Sequence, residues 1–281
     1  MLQKHIDEKY TFYISKDKNG NEKIYKFKNY KHICKYCGKE YISCKKNQKV
    51  CSKQCNGKLH YKEQLGKNNY NDKSFFNNVI DTEEKAYILG MLTTDGSISS
   101  NKITLSLKEE DKYLLEKIKN YINPNRKLYY CKKSYSFYWI NKEDIDFLKS
   151  VGFTTKKQYD ATMCKIIPHN LMNHYIRGWF DGDGCIYEST TKDNHYNPPR
   201  EYVYKFISIT TGSNIAKEEL NDFFHSIGIN SKVCIDCRSG KNRNNTYYVK
   251  IYRKKDVQAF FDYIYNNANI YMLRKYNKFM I

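Results

Sequence analysis

The sequence has no long hydrophobic run and no apolar start. Its apolar stretches fall well short of the roughly 20 residues that a membrane-spanning helix needs, and the opening MLQKHIDEKY lacks the apolar core of a signal peptide. We therefore expect no membrane partner and an intracellular, reducing location. In that setting the ten cysteines are better explained as thiols or metal ligands than as disulfides.

Acidic residues are also in short supply. The chain of 281 residues holds 30 Asp and Glu against 49 Lys and Arg, which gives a net charge of +19. This excess favours a polyanionic partner, nucleic acid before a membrane surface. The alternative is a basic surface that only keeps the chain soluble. Proline is scarce, with 4 residues, and tyrosine abundant, with 28, so coding bias lowers the information in any single Tyr, Asn or Lys.

Two segments that lie 88 positions apart share one pattern. ILGMLTTDG (88–96) and IRGWFDGDG (176–184) are apolar helical runs with a glycine at the third position and an Asp-Gly pair at the end. A glycine inside a helix costs roughly 1 kcal/mol relative to alanine. Gly90 and Gly178 therefore predict two helices that pack closely, because a missing Cβ lets backbones approach.

Each segment delivers one carboxylate to a helix end. If the two helices pack in parallel, Asp95 and Asp183 lie side by side. Helix C-termini carry partial negative charge, so this arrangement attracts a divalent cation, and hard oxygen ligands suit Mg²⁺. The alternative is two ordinary buried helices that each end in an Asp-Gly turn.

From Thr82 onward the hydrophobic pattern alternates between helices and strands, and this order occurs twice. The first half lacks a clear second early strand, and the last residues read as a basic tail. We expect an α+β fold of two pseudo-symmetric halves behind a small N-terminal domain. The predicted domains are a basic N-terminal region (1–66), a polar linker (67–81), a first half (82–167) and a second half (168–281).

The two segments, and above all YIRGWFDGDGCI, resemble the paired motifs of the LAGLIDADG homing endonucleases. The tail YMLRKYNKF resembles the usual end of these enzymes, and the resemblance covers residues 82–281. It implies halves built as helix–two strands–helix–two strands–helix, each with a curved antiparallel sheet. Thr93 departs from the family pattern, because it replaces the usual first acid, whereas the final acid, Asp95, is kept.

The resemblance implies a site-specific endonuclease that hydrolyses both strands of a long, asymmetric double-stranded DNA site as a monomer. Asp95 and Asp183 would be the catalytic acids and would hold Mg²⁺. A lysine from each half would order the attacking water or screen charge. Lys142 and Lys254 are the candidates, since each lies where the last strand of its half meets the next helix. The alternatives are a DNA-binding regulator of the same fold without catalysis, and an intron maturase that binds RNA.

The resemblance also places the polar face of each sheet in the DNA major groove. The candidates for DNA contacts on these faces are Thr104, Ser106 and Lys108 in the first half and Ser208 and Thr210 in the second. The basic tip of a later hairpin, with Arg238, Lys241 and Arg243, is the candidate for phosphate contacts, which position rather than specify. The alternative for each residue is a solvated strand face.

Four cysteines near the N-terminus have the spacing of a zinc site. They are Cys34, Cys37, Cys51 and Cys55, in the pattern C-x2-C-x13-C-x3-C. This pattern predicts a structural Zn²⁺ bound by four thiolates within residues 32–60, and it resembles a treble-clef finger. The alternative is a set of free buried thiols.

The region around this finger is strongly basic. Residues 1–66 hold 16 Lys against 6 acids, so we expect a second DNA-binding module, although the finger could instead contact the core domain. A further pair, Cys234 and Cys237, is expected to serve packing. Positions three apart in a strand point to opposite faces, which does not suit a shared metal.

Overall fold

A computed structural model describes residues 3–67, 72–99, 101–154, 157–236 and 246–280. The chain divides into two compact units, Met1–Tyr70 and Asn71–Ile281. No helix in these described ranges combines the length and the apolar character that a membrane-spanning segment requires.

The N-terminal unit begins with a three-stranded antiparallel sheet. Its strands are β1 (Gln3–Ile6), β2 (Tyr10–Lys16) and β3 (Glu22–Lys28), in that spatial order. In the turn between β2 and β3, the Asp17 carboxylate accepts hydrogen bonds from the backbone N–H of Asn19 and of Asn21, both at 2.9 Å. A two-stranded ribbon and a helix complete the unit, namely β4 (Tyr30–Ile33), β5 (Glu40–Ser43) and α1 (Lys53–Lys67).

The first half of the larger unit alternates helices and strands. The elements are α2 (Glu83–Asp95), β6 (Gly96–Ile98), β7 (Ile103–Lys108), α3 (Lys112–Ile122), β8 (Tyr129–Cys131), β9 (Ser134–Trp139), α4 (Lys142–Ser150) and the short α5 (Lys157–Asp160). The strands form one antiparallel sheet in the order β6-β7-β9-β8. Strand β6 is the early strand that the sequence did not reveal, because three residues are too few to show an alternation.

The second half repeats this order. The elements are α6 (Met172–Asp183), β10 (Gly184–Asp193), β11 (Arg200–Thr211), α7 (Asn214–Ser226), β12 (Lys232–Ile235), β13 (Tyr247–Ile251), α8 (Lys254–Tyr265) and α9 (Leu273–Met280). The sheet order, β10-β11-β13-β12, matches that of the first half. The predicted pseudo-symmetric α+β fold is therefore confirmed. The expected basic tail instead ends in helix α9.

Part of the predicted polar linker is packed against the larger unit. Asp72 is 5% exposed and forms a salt bridge of 2.7 Å with Arg126. The buried carboxylate of Asp144 accepts hydrogen bonds from the backbone N–H of Phe75 and of Phe76, both at 3.0 Å. Asp72 within the segment and Asp144 on α4 thus attach to the first half a segment whose polar residues had indicated a linker.

Helices α2 and α6 pack through their glycines, as the sequence predicted. A Cβ at Gly90 would overlap the carbonyl oxygen of Tyr175, and a Cβ at Gly178 would overlap that of Tyr87. Further along, a Cβ at Gly182 would overlap the Thr94 hydroxyl. The contacts advance in the same direction along both helices, so the pair is parallel, and both C-termini lie at one end.

Candidate active site

Asp95 and Asp183 are the last residues of the two parallel helices. The glycine that follows each aspartate ends the helix, and its backbone N–H donates to the carbonyl of Leu92 or of Phe180. Both aspartates are exposed, unlike most of the residues that precede them on the two helices. The two carboxylates therefore emerge from the same end of the helix pair, at the first residues of strands β6 and β10.

A pocket of about 400 Å³ opens beside Asp95. Its polar and charged lining residues are Asp95, Ser106, Lys108, Asp111, Ser134, Arg274 and Lys275, and Gly182 and Gly184 bring the end of α6 into its wall. The pocket is thus lined by residues of the first half, of the second half and of the C-terminal segment. Cationic and anionic side chains share it, which suits a metal ion and a phosphate together.

Lys275 is the cation most closely tied to the end of α6. Its Nζ donates to the carbonyl oxygens of Phe180 (2.7 Å), Asp181 (2.6 Å) and Gly182 (3.3 Å), so it caps the C-terminus of the helix. Burial lowers the pKa of Lys275 to about 8, although the nearby charges of Asp181, Asp95 and Asp183 oppose this shift. Sequence reasoning missed this residue, and only the resemblance of the tail pointed to its segment.

Asp181 anchors the same segment from inside the helix pair. It is fully buried, and its carboxylate accepts hydrogen bonds from the Tyr87 hydroxyl (2.7 Å), the Met272 N–H (2.8 Å) and the Tyr265 hydroxyl (3.4 Å). Burial raises the pKa of Asp181, and Lys275 counteracts that shift. A buried carboxylate with this many partners is a structural acid rather than an open metal ligand.

Arg177 makes a second attachment between α6, α2 and the C-terminal segment. Its fully buried guanidinium donates to Glu83 (2.7 Å) and to the carbonyls of Ile264 (2.7 Å) and Ile270 (2.8 Å). Glu83 also accepts from the backbone N–H of Asn269 at 2.7 Å. Two helices and the chain after α8 are therefore fixed together by charged groups that satisfy one another.

Thr93 occupies the position in the first motif that Asp181 holds in the second. Its hydroxyl donates to the Leu89 carbonyl at 2.9 Å and also hydrogen-bonds with the Tyr175 hydroxyl. The Tyr175 hydroxyl in turn accepts from the Cys164 N–H at 3.1 Å. A cavity of about 20 Å³ beside Thr93 has room for one water molecule. Replacement of the acid changes the local packing and leaves Asp95 in place.

The structure does not bring Lys142 or Lys254 to the pocket. Gly96 pairs with Leu105, which pairs with Phe137, and Lys142 follows five residues later, beyond the end of β9. Lys254 lies at the equivalent place, five residues after Val249 in β13. Both lysines are exposed first residues of helices. The last strand of each half carries its lysine away from the aspartate, which the order of elements alone did not reveal.

The candidate DNA contacts are only partly where the sequence placed them. Thr104, Ser106 and Thr210 are half-buried, and Lys108 is exposed. Ser208 corrects the prediction: it is 1% exposed, so its side chain is not accessible to DNA in this conformation. The predicted phosphate contacts, Arg238, Lys241 and Arg243, lie outside the described residues, as does Cys237.

The four predicted zinc ligands meet in the N-terminal unit. The sulfur atoms of Cys34, Cys37, Cys51 and Cys55 all lie within 4.8 Å of one another, as four ligands of one ion require. Burial tends to raise the pKa of Cys34, but hydrogen bonds from the backbone of Cys37, Cys51 and Tyr36 outweigh it and lower the pKa to about 6. Hydrogen bonds with the neighbouring sulfurs raise the pKa of Cys51 to about 12, so one thiolate forms most readily, at Cys34. The predicted cluster is confirmed, and four clustered sulfurs are a ligand set that suits Zn²⁺.

Comparison with known proteins agrees with this fold. A family model for a LAGLIDADG-like domain matches residues 170–265. An uncharacterised protein of Methanocaldococcus jannaschii is 25% identical over 189 residues, which cover 60% of this chain and 62% of that protein. The chain therefore spans less than two thirds of this relative.

Solved structures of homing endonucleases share the architecture. A lysine-to-alanine mutant of I-SmaMI matches with a TM-score of 0.50 and 13% sequence identity. The match covers 69% of this chain and 89% of the I-SmaMI chain. I-SmaMI is a LAGLIDADG homing endonuclease. I-GzeII, a LAGLIDADG homing endonuclease in complex with its DNA target, has a TM-score of 0.49 at 15% identity, over 69% of this chain and 87% of its own. Residues 170–265 of this chain are therefore similar to a LAGLIDADG-like domain, and the fold of the chain is similar to that of I-SmaMI.

Proposed function

We propose that this chain is a site-specific endonuclease that hydrolyses both strands of double-stranded DNA with the help of a divalent metal. The observation that carries the proposal is the parallel pair α2 and α6, which presents Asp95 and Asp183 together at one exposed end. The likeness to DNA-bound homing endonucleases is consistent with this reaction.

The donor set at the helix ends fits Mg²⁺. Asp95 and Asp183 offer hard carboxylate oxygens at the exposed ends of their helices. A divalent ion bound there would activate water and stabilise the charge that develops on the phosphate during hydrolysis. The two aspartates would hold and orient this ion. Each aspartate belongs to the half that would approach one DNA strand.

Exposed Lys108 would meet a scissile phosphate directly, whereas Lys275, bonded to three α6 carbonyls, would act through its charge alone. Lys108 is exposed and Lys275 is buried against the α6 carbonyls, and both line the pocket that contains Asp95. These positions support Lys108 and Lys275 for charge screening better than they support Lys142 and Lys254, whose catalytic role stays a prediction. With a pKa of about 8, Lys275 is mostly cationic at neutral pH.

The DNA would lie along the two sheets. The net charge of +19 supplies long-range attraction, and Thr104, Ser106 and Thr210 are the proposed base-reading residues. The tip residues Arg238, Lys241 and Arg243 are proposed to contact phosphates.

Both halves of the site come from one chain, so cleavage of both strands is proposed for the monomer. A Zn²⁺ bound by the four cysteines would stabilise the N-terminal unit.

The test is Mg²⁺-dependent cleavage of DNA that spans the insertion locus of the gene. We expect Asp95→Asn and Asp183→Asn each to reduce double-strand cleavage by about 1,000-fold or more, because each removes a metal-binding charge, whereas DNA binding in Ca²⁺ survives. Asp146→Asn, a change at an exposed aspartate on α4, is the matched control and should cut normally.

The outcomes separate the alternatives. Undiminished cutting by both Asp95→Asn and Asp183→Asn would reject the assigned site. Specific DNA binding without any cutting by the wild-type protein would identify a regulator. Preferred binding to intron RNA would identify a maturase.

A further inference from the structure

Arg274 is held in a fixed position beside the pocket that contains Asp95. Its Nε donates to the two carboxylate oxygens of Asp111 at 3.1 and 3.0 Å and lies 3.5 Å from the carboxylate of Glu110. Asp111 is 1% exposed and lies immediately before α3, so it is a firmly placed acceptor. Because the guanidinium is planar, fixing Nε also fixes the direction of the two Nη groups.

The two Nη groups of Arg274 remain available to a ligand. Within the described ranges, the hydrogen bonds and ion pairs of this side chain all involve Nε. The side chain is 41% exposed and lines the pocket together with Asp95, Ser106 and Lys108. The fork of N–H groups on an arginine matches two oxygens of one phosphate, so a pocket with such a fork suits a phosphodiester.

The other cations of the pocket are placed differently. The Lys275 ammonium already donates to three carbonyl oxygens of α6. Lys108 carries a point charge on a long flexible stem. Among the described cations that line this pocket, Arg274 alone is fixed by a buried acid and also carries N–H groups without a protein acceptor.

The arrangement belongs to the Asp95 end of the site. The pairing of β6 with β7 and of β10 with β11 aligns the sheets of the two halves. By this alignment Gly212 stands where the first half has Lys108, and Ile215 stands where it has Asp111. Ile215 is 51% exposed and apolar, so it cannot hold an arginine by an ion pair. The two halves therefore offer different groups to the two DNA strands.

We propose that Arg274 binds the scissile phosphate in the pocket beside Asp95 and stabilises the charge that develops on its two non-bridging oxygens during hydrolysis. This inference rests on the proposed function, and it adds that the two strands depend on different cations. The strand cut in this pocket needs Arg274, whereas the strand cut beside Asp183 does not.

The decisive variant is the double change Asp111→Asn/Arg274→Met. Arg274→Met alone would leave the buried carboxylate of Asp111 unpaired and would destabilise the fold. The double change removes both charges and keeps the net charge of the protein. Its matched control is Asp146→Asn/Lys149→Met, the same pair of losses at two exposed positions of α4.

The first measurement is the salt dependence of binding to the locus DNA in Ca²⁺. Loss of one phosphate contact should lower the slope of log K against log salt by about 0.9 in Asp111→Asn/Arg274→Met. The control on α4 should keep the wild-type slope. Because the net charge is unchanged, a purely structural role of Arg274 predicts the wild-type slope in the decisive variant as well, and that result would overturn the proposal.

The second measurement is nicking of a duplex that carries a different fluorophore on each strand, in Mg²⁺. The decisive variant should cut one strand about 10-fold or more slowly relative to the other. Lys108→Met should slow the same strand, because Lys108 lines the same pocket. Equal slowing of both strands by the decisive variant, or slowing of opposite strands by the two variants, would overturn the proposal.

Failure of the proposed function gives a different result. A wild-type protein that binds the locus DNA and cuts neither strand would reject the nuclease. The salt slope in Ca²⁺ would then decide by itself whether Arg274 contacts a phosphate: a lower slope in the decisive variant supports the contact, and an unchanged slope rejects it.

Discussion

The two motif helices end in the same Asp-Gly pair but are supported by different residues. In the second motif, Asp181 is buried beneath the C-terminal segment, and Arg177 is bonded to Glu83 of the first motif helix. The first motif has Thr93 and Leu89 at the equivalent positions, and Leu89 is simply part of the core. The exposed acids are alike, whereas the interior that holds them is not.

This difference shows how one half can carry a threonine where the other carries an acid and still expose the aspartate at its helix end. The tyrosine of each motif reaches across to the other: the Tyr87 hydroxyl donates to Asp181 at 2.7 Å, and the Tyr175 hydroxyl hydrogen-bonds with Thr93. The Tyr87 side needs a carboxylate, because Lys275 and Arg177 bring positive charge there. The Tyr175 side faces Thr93 and the Cys164 N–H, and a hydroxyl is sufficient.

The largest expected effect on stability comes from giving the second motif the residue of the first. Asp181→Thr should lower the free energy of unfolding by about 3–5 kcal/mol, because buried Lys275 and Arg177 lose the charge that balances them. Urea unfolding measures the change. Thr93→Val is the matched control: it keeps the shape, loses hydrogen bonds and should cost about 1 kcal/mol. Equal costs at the two sites would contradict the asymmetry.

The next effect is a pH dependence that belongs to the second half. Lys275 has a pKa of about 8 in the folded protein against an ordinary 10.5. Between pH 8 and 10.5 the unfolded chain holds a proton that the folded lysine has released. The free energy of unfolding should therefore rise with pH in this window, by up to about 3 kcal/mol, with no contribution to the slope below it.

Lys275→Met isolates this contribution from other titrating groups. Urea unfolding of both proteins at pH 7.5, 9 and 10.5 would give a steeper rise for the wild type, since tyrosines and other lysines are common to both. Identical slopes would show that burial of Lys275 does not perturb its proton affinity.

The smallest effect compares glycines along the helix contact. Gly90→Ala and Gly178→Ala each place a Cβ against a backbone carbonyl of the other helix, and each should cost about 1–3 kcal/mol of unfolding free energy. Gly182→Ala meets only the Thr94 side chain and should cost less. Thermal unfolding of the double variant Gly182→Ala/Thr94→Ala should return close to wild type. A cost for Gly182→Ala that persists in the double variant would mean that the backbones, not the side chains, set the helix separation there.

Local patterns explain why much of the fold could be predicted. Ile103, Leu105 and Leu107 are buried and alternate with polar residues, so β7 was visible as a strand. Gly90 and Gly178 predicted a close helix contact, because a glycine inside an apolar helix lets the backbone of a second helix approach. The short β6 and the helix α9 were missed, since three residues carry no period and the eight residues of α9 span little more than two helical turns.

The amino-acid sequence by itself determined the two acids at the helix ends, the repeated order of elements and the four cysteines that come together. These features depend on spacing along a helix, alternation along a strand or a short loop, and such relations are written locally. Only the tertiary structure decided that Lys275 caps α6, that Asp181 is a buried anchor, that Ser208 is covered and that Lys142 and Lys254 lie away from the pocket. Those outcomes depend on which distant segments pack together, and burial and charge balance at such contacts leave no periodic trace in the sequence.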